Sequence, residues 1–400
     1  AGSDTIRIGL IGCGGRGTGA AKQALDADPG VKLVAVADLF EDRVQKSLQS
    51  LQKFHKDRAV VEKDRQGVGF DGYRKVIESD ADAVLIACAS RFHPTYALAA
   101  LRAGKHVFFE KPHAIDPPGV RTVLEAAEEA KKRNLCLVSG LHFRYDPRCR
   151  ATAQQVLDGA IGEITSIQVD YMRAPYRIIE RDPKLSEIEW QYRNWYHFNW
   201  LSGDDVVQSL IHTLDRGQWV MKDEPPVWAH GLGGRSQLSG VPYGNCFDHH
   251  CVVWEYASGV RMYGFNRTQY NCVAGMFDVI HGTKGRASLL GGWVKDLKGN
   301  LVWKYSGPRK DGHAVEQQEF MAALRAGKVI NNGLYAARST MTAIMGQLAC
   351  YTGKMVTWEA VMKSDFTYEP KQCDFSTDPP VKPDAQGNYP VFIPGVTKLL

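Results

Sequence analysis

The sequence predicts an α/β protein of two domains. The first is a doubly wound parallel sheet over residues 1–140. The second is an α+β domain over residues 141–400, with an open, mainly antiparallel sheet. Three observations lead there. A glycine-rich turn joins an apolar strand to a helix at "IRIGLIGCGGRGTGAA". Buried strands and helices then alternate as far as "LCLVSGLHF". Beyond residue 150 the rhythm changes to long strands with hairpin turns.

The elements can be taken in order. "TIRIGLIG" is a buried strand, "GTGAAKQALDAD" a helix with Ala20, Ala21, Ala24 and Leu25 on one face, and "VKLVAVAD" a second buried strand. In this context G-x-G-x-x-G carries physical meaning. Gly12 permits the tight turn, Gly14 lets the backbone approach a pyrophosphate, and Gly17 allows close helix–strand packing. With Gly15, they present the N–H groups of a helix N-terminus to phosphate, and Arg16 adds a cation. Asp38 ends the second strand, where a carboxylate accepts from the ribose hydroxyls and repels a 2′-phosphate. The expected cofactor is NAD in preference to NADP, bound to a Rossmann domain.

The series continues through "DADAVLIACAS", the helix "RFHPTYALAALRAGK", the strand "HVFFEKP", the helix "PPGVRTVLEAAEEAKKRN" and the strand "LCLVSGLHF". Ligands of such sheets lie beyond the carboxyl ends of the strands. Ala89, Ser90, Arg91, Glu110 and Lys111 fall there, with His93 just beyond, and all join the expected cofactor site. Lysines are seldom buried without a purpose, so Lys111 before Pro112 is either a catalytic group or a lysine paired with Glu110.

"GLIGCGGRG", the block from His93 to Pro112 ending "AGKHVFFEKP", and "HTLD" at His212–Asp215 resemble the glucose–fructose oxidoreductase/inositol dehydrogenase (Gfo/Idh/MocA) family. "GTKGRASL", "STMTAIMGQLACYTGKMVTW" and the closing "PGVTKL" are similar to its sugar-acting, often exported branches. The resemblance implies an NAD-dependent oxidoreductase with a homo-oligomeric assembly, dimer or tetramer, mediated by the second sheet. It implies that Lys111 lies beside the nicotinamide and the reacting hydroxyl. It also implies export behind a twin-arginine leader, with a cytoplasmic location as the alternative. The opening "AGSD" is compatible with the stub of a removed leader.

In the second domain, "EITSIQVDYMRAP", "HCVVWEYASGVRMYGFNR" and "MFDVIHGTKGRASLLGG" read as strands. A helix begins near Asp204 and places Gln208, His212 and Asp215 on one face, so that Asp215 can orient His212. The family pattern D-x-G-x-H-x-x-D has an acid where this chain has Gln208, which cannot take a proton. His212 is therefore the expected base or relay, with Asp204 or Asp205 as substitute acids. Trp195, His197 and Asn199 precede the helix, and an aromatic face with hydrogen bonders beside it suits a sugar ring. Arg173, Tyr145, Gln208 and Asp215 complete the expected substrate site. "CFDHHC" leads into an alternating strand whose neighbours point to opposite faces, so no metal is expected there.

Composition narrows the function classes. With 49 basic and 44 acidic residues the charge is close to balanced, and no basic run suggests nucleic acid or a membrane surface. Nine scattered cysteines, an odd number, form no disulfide framework. The expected partner is a small carbohydrate. The expected reaction is oxidation of a ring hydroxyl of a sugar, glycoside or polyol to a ketosugar. Two alternatives stand beside it: an NAD-dependent glycosidase working by oxidation, elimination, hydration and reduction, and a non-catalytic NAD-binding subunit.

Overall fold

A computed structural model of the chain describes residues 5–399, so the "AGSD" start lies outside the described residues. The chain forms two compact units, Ala1–Ala114 with Gly119–Asp146 and Lys310–Ala337, and Ile115–Pro118 with Pro147–Arg309 and Arg338–Leu400. The first unit thus takes in residues 141–146 and 310–337, which lie beyond the boundary at 140 that the change of rhythm suggested.

In the first unit six strands, β1 (Ile6–Ile11), β2 (Val31–Asp38), β3 (Gln66–Val68), β4 (Ala83–Ile86), β5 (His106–Phe109) and β6 (Leu137–Ser139), form one sheet in the order β3-β2-β1-β4-β5-β6. Every pairing is parallel. Helices α1 (Gly15–Ala27), α2 (Glu41–His55), α3 (Gly72–Ile77), α4 (His93–Arg102) and α5 (Pro117–Arg133) connect the strands. Both faces of the sheet are covered, which is why β4 reads "AVLI" without polar alternation and is fully buried. The order reverses between β1 and β4, and that switch point opens the crevice for a ligand.

The second unit contains a nine-stranded sheet. Its strands are β7 (Ile164–Arg173), β8 (Pro226–Gly234), β9 (His249–Tyr256), β10 (Arg261–Thr268), β11 (Gly275–Gly282), β12 (Gly285–Ser288), β13 (Trp293–Asp296), β14 (Leu301–Lys304) and β15 (Val356–Thr357). They run in the order β14-β13-β12-β11-β7-β10-β9-β8-β15. All pairs are antiparallel except β10 with β7. β9 alternates buried and half-buried residues strictly, so one face packs on the core. Helices α6 (Pro147–Leu157), α7 (Glu187–Arg193), α8 (Asn199–Ser202) and α9 (Ile211–Val220) belong to this unit. Under the sheet lies an ion pair with both side chains fully buried: Arg216 Nε on α9 is 3.0 Å from Asp278 Oδ1 on β11. The Asp278 carboxylate also accepts from the backbone N–H groups of Leu289 and Leu290. The Pro-rich tail returns to the same unit, where Tyr389 is buried edge-on against Phe198.

After the second sheet, α10 (Gly312–Arg325) goes back to the first unit. Its Phe320 and Met321 join the same buried cluster as Ile8, Leu10 and Leu33. The helix α11 (Gly333–Thr352) follows it. Helix periodicity is visible in a sequence, but which sheet a late helix covers depends on where the chain has space to return.

Candidate active site

At the switch point of the first unit, Gly12 has φ +98°, and a Cβ on it would meet the Ala87 and Cys88 backbone at 2.5 Å. The turns after β1 and β4 therefore touch. A Cβ on Gly17 would lie 1.8 Å from the Gly12 carbonyl oxygen. Gly14 and Gly15 differ: the first would meet only Arg43 Nη1 at 3.7 Å, and the second nothing within 4 Å. Two glycines are thus required by packing, and two leave open space before the N-terminus of α1, where free N–H groups collect. Asp38 ends β2 and accepts from Cys13 N at 2.7 Å and Phe40 N at 3.0 Å, which ties the turn to the strand. Burial raises its pKa, opposed by the nearby Arg43 charge.

Glu110 follows β5 and is buried, its Oε1 3.1 Å from Arg16 Nε. Its Oε2 accepts from the Lys111 backbone N–H at 3.2 Å. Arg16 is thereby turned toward Glu110 and also donates to Gln23, and this replaces the expected reach to a phosphate as its built role. His93, expected at the cofactor, is a buried tie instead. Its Nδ1 lies 2.8 Å from the Pro112 carbonyl and its Nε2 3.0 Å from that of Cys88. Burial pushes its pKa down to about 4, against the two carbonyls that favour the charged form; the neutral ring donates to one of them and packs against the other. Ala89 precedes a short 3-10 turn, Ser90–Phe92, beyond the carboxyl end of β4; Ser90 is fully buried and Arg91 lies within the turn.

Tyr145 is corrected from substrate contact to core. It sits in the first unit, buried, and its hydroxyl donates to Asn332 Oδ1 at 2.8 Å.

In the second unit the expected single helix from Asp204 is broken. A π-helical turn, Val206–Leu210, precedes α9. Its wider winding changes the geometry between Gln208 and His212, and such turns recur at functional sites. Gln208 is buried and His212 partly exposed, its ring 6.0 Å from that of Tyr171 and nearly parallel to it. Asp215 is buried and accepts from Ser339 Oγ at 2.7 Å, a partner the sequence did not indicate.

Trp195 stacks on Tyr196 at 3.8 Å, Tyr196 on Tyr176 at 4.0 Å, and the Arg173 guanidinium lies 3.3 Å over the Tyr176 ring. Trp195 keeps part of its surface open, as a sugar-stacking face needs. His197 and Asn199 do not. His197 Nε2 faces the Tyr176 carbonyl at 3.2 Å, and burial lowers its pKa to about 4. Asn199 exchanges hydrogen bonds with Asn245. Both hold the loop in place beneath the aromatic stack.

Asp204, with φ +67°, is consumed structurally: its carboxylate accepts from Tyr351, Phe247 N and Asp205 N. Asp205 accepts from Ser209 Oγ at 2.7 Å, and that hydroxyl is 3.0 Å from the Tyr176 hydroxyl. Asp205, Thr268, Tyr176, Tyr196 and Tyr243 line a cavity of about 20 Å³, room for one water. Asp205 Oδ2 and Thr268 Oγ1 are buried without a hydrogen-bond partner among the described residues. Around "CFDHHC", His249 is half-exposed beside Asp248 while His250 is buried against Asn266, so the two point to opposite faces.

Comparison with known proteins adds to this geometry. Residues 6–138 match the family described as "Oxidoreductase family, NAD-binding Rossmann fold". That segment is similar to the Gfo/Idh/MocA oxidoreductases. An inositol 2-dehydrogenase of Serratia proteamaculans is 27% identical over 64% of this chain and 66% of its own length. A dTDP-3,4-didehydro-2,6-dideoxy-alpha-D-glucose 3-reductase of Actinomadura kijaniata is 31% identical over 44% of this chain and 48% of its own. The chain thus spans between about half and two thirds of these relatives. A solved levoglucosan dehydrogenase, in complex with NADH and levoglucosan, has a similar fold over 88% of this chain and 99% of its own, with a TM-score of 0.67 and 17% identity.

The matched domain fits a dinucleotide. The space before Gly14 and Gly15, the free N-terminus of α1 and the carboxylate at the end of β2 are the three parts NAD requires. The sequence missed Tyr176 in the second unit, which stands in an irregular "RAPYR" segment without a pattern, and in the first unit His313 and Glu316, which sit on a helix whose return to this domain no local signal marks.

Proposed function

We propose that the protein is an NAD-dependent dehydrogenase that oxidises a ring hydroxyl of a sugar, glycoside or polyol to a ketone. The observation that carries the reading lies within the first unit. A glycine turn with open space before it stands at the same sheet edge as Lys111, whose backbone is held by a buried glutamate that also pairs with Arg16. The relatives' names support a polyhydroxylated ring as substrate: an inositol, a deoxy sugar nucleotide and levoglucosan.

Bound NAD supplies the hydride acceptor. The Lys111 ammonium donates to the reacting oxygen and stabilises the negative charge that grows as its proton leaves. A ring nitrogen of His212 receives that proton, since Gln208 has no basic group. Trp195 offers an open ring face for stacking. The balance is an alcohol and NAD giving a ketone, NADH and one proton. The reading extends to an exported homo-oligomer, as the resemblance implies.

The test is incubation with NAD and a panel of cyclitols, pyranoses and glycosides, following reduced-nicotinamide absorbance and product mass. The expected product is two hydrogens lighter than its substrate, and Lys111→Ala lowers kcat by about a hundredfold or more. Hydride transfer that persists undiminished in Lys111→Ala and His212→Asn overturns the assignment. Gln208 at the acid position favours a second reading, redox-neutral glycoside cleavage. Release of an aglycone without net NADH selects it, and accumulated ketosugar excludes it.

A further inference from the structure

Glu316 lies on α10, a helix far along the chain from the fingerprint, yet in the same compact unit. Its carboxylate, that of Glu110 and the His313 ring each place one ligand atom within 4.8 Å of the others. Glu316 is fully buried and Glu110 nearly so. His313 Nδ1 is 3.3 Å from Glu316 Oε1, and the His142 ring stacks on His313 at 3.7 Å. Glu316 Oε2 is buried with no hydrogen-bond partner among the described residues. Space for the cluster is built in: a Cβ on Gly140 would lie 2.9 Å from Glu110 Oε2, and one on Gly312 2.4 Å from the His142 carbonyl.

We propose that Glu316 and Glu110 hold one proton between them at neutral pH, and that Glu316 is thereby a positioning residue that keeps the Glu110 carboxylate on Arg16 and on the Lys111 backbone. Two carboxylates this close in a buried site cannot both ionise unless each has a cation. Arg16 and Lys111 face Glu110. Glu316 faces Glu110, Asp311 and His313; among the described residues the cation acting on it is Arg16, which is already engaged with Glu110. His313 supplies no charge: burial pushes its pKa down to about 4, and Arg16 and Lys111 push it the same way. Burial and the Glu110 charge therefore push the Glu316 carboxyl well above the usual range. A neutral acid also leaves the orphaned Oε2 at far smaller cost than a carboxylate would. The cation of the cluster is Arg16, so the carboxyls need no metal to balance them. The consequence is that Glu110 alone carries the charge that bridges the cofactor turn and the lysine turn.

The inference rests on the dinucleotide reading only for its second readout. The first is infrared spectroscopy of the full chain at about pH 7, comparing wild type with Glu316→Gln. The carbonyl stretch of a protonated carboxylic acid is expected in wild type and lost in the variant. Glu316→Asp, which keeps a titratable group, retains it and covers the case in which the amide fails to fold. No such band in wild type, or one unchanged in Glu316→Gln, overturns the proposal. The second readout is NAD affinity against pH. A second carboxylate charge formed beside the phosphate turn weakens wild-type binding about tenfold on the alkaline side, and Glu316→Gln lacks that step. A step of equal size in the variant, or none in wild type, refutes the positioning role. If NAD binds neither protein at any pH, the dehydrogenase reading fails while the infrared result still decides the pair.

Discussion

A Cβ on Gly17 would sit 1.8 Å from the carbonyl oxygen of Gly12. These two residues therefore set how closely α1 lies against the end of β1. Gly17→Ala must push the helix from the turn, at a cost toward the upper end for overpacking, about 3 kcal/mol. Gly14→Ala meets only the flexible end of Arg43 at 3.7 Å, so its stability changes by no more than about 0.5 kcal/mol. Thermal melts and NAD titrations separate the two. Gly17→Ala loses both stability and binding, and Gly14→Ala loses binding alone. Equal melting losses in the two variants would contradict this division.

Asp38, assigned to the ribose end on the proposed reading, has a carboxylate that accepts from Cys13 and Phe40. Asp38→Asn keeps an acceptor oxygen and removes the charge that repels a 2′-phosphate. The NAD-over-NADP preference is expected to narrow by about tenfold, the order of one screened charge contact. Steady-state kinetics with both cofactors measures it, and an unchanged ratio counts against the ribose role.

Arg216 and Asp278 form a pair with no exposed side-chain surface, and Asp278 in addition caps the β12 end through Leu289 and Leu290. Removing one partner of such a pair costs about 3–5 kcal/mol. Asp278→Ala and Arg216→Ala should each reach that range in urea unfolding. The double variant should cost much less than their sum, because no uncompensated charge remains. Simple additivity would show that the pair is not coupled.

Asp248 provides a pH test. Burial pushes its carboxyl up, but the N–H groups of Gln237, Leu238 and Ser236 and the His249 ring outweigh this and hold it below the usual value. A depressed folded pKa stabilises the native state above the unfolded value of about 3.9. That contribution is lost as pH falls through the lower folded value. Asp248→Asn is therefore expected to melt lower near neutrality and to converge with wild type in acid. A constant gap across the acid range would exclude the linkage.

The first domain was legible because its signals are local. Gly12 and Gly17 sit at fixed offsets from a buried strand, and "AVLI" lacks polar alternation because both sides of β4 are covered. Tyr145, His93, His197 and Asn199 misled because a buried polar side chain and a ligand-facing one have the same identity. Only the atoms opposite them, Asn332, the Pro112 and Cys88 carbonyls, the Tyr176 carbonyl and Asn245, distinguish the two.

By itself the sequence determined the order of strands and helices, the dinucleotide turn and the placement of Lys111 at the end of β5. These depend on periodicity, glycine spacing and chain neighbours, which act over a few residues. Tertiary structure alone decided that a π turn would precede α9, that Arg16 would face Glu110, and that α10 would bring Glu316 to it. Those outcomes depend on desolvated charges meeting across distant segments. The energy of such a meeting is set by its surroundings, and no stretch of sequence contains them.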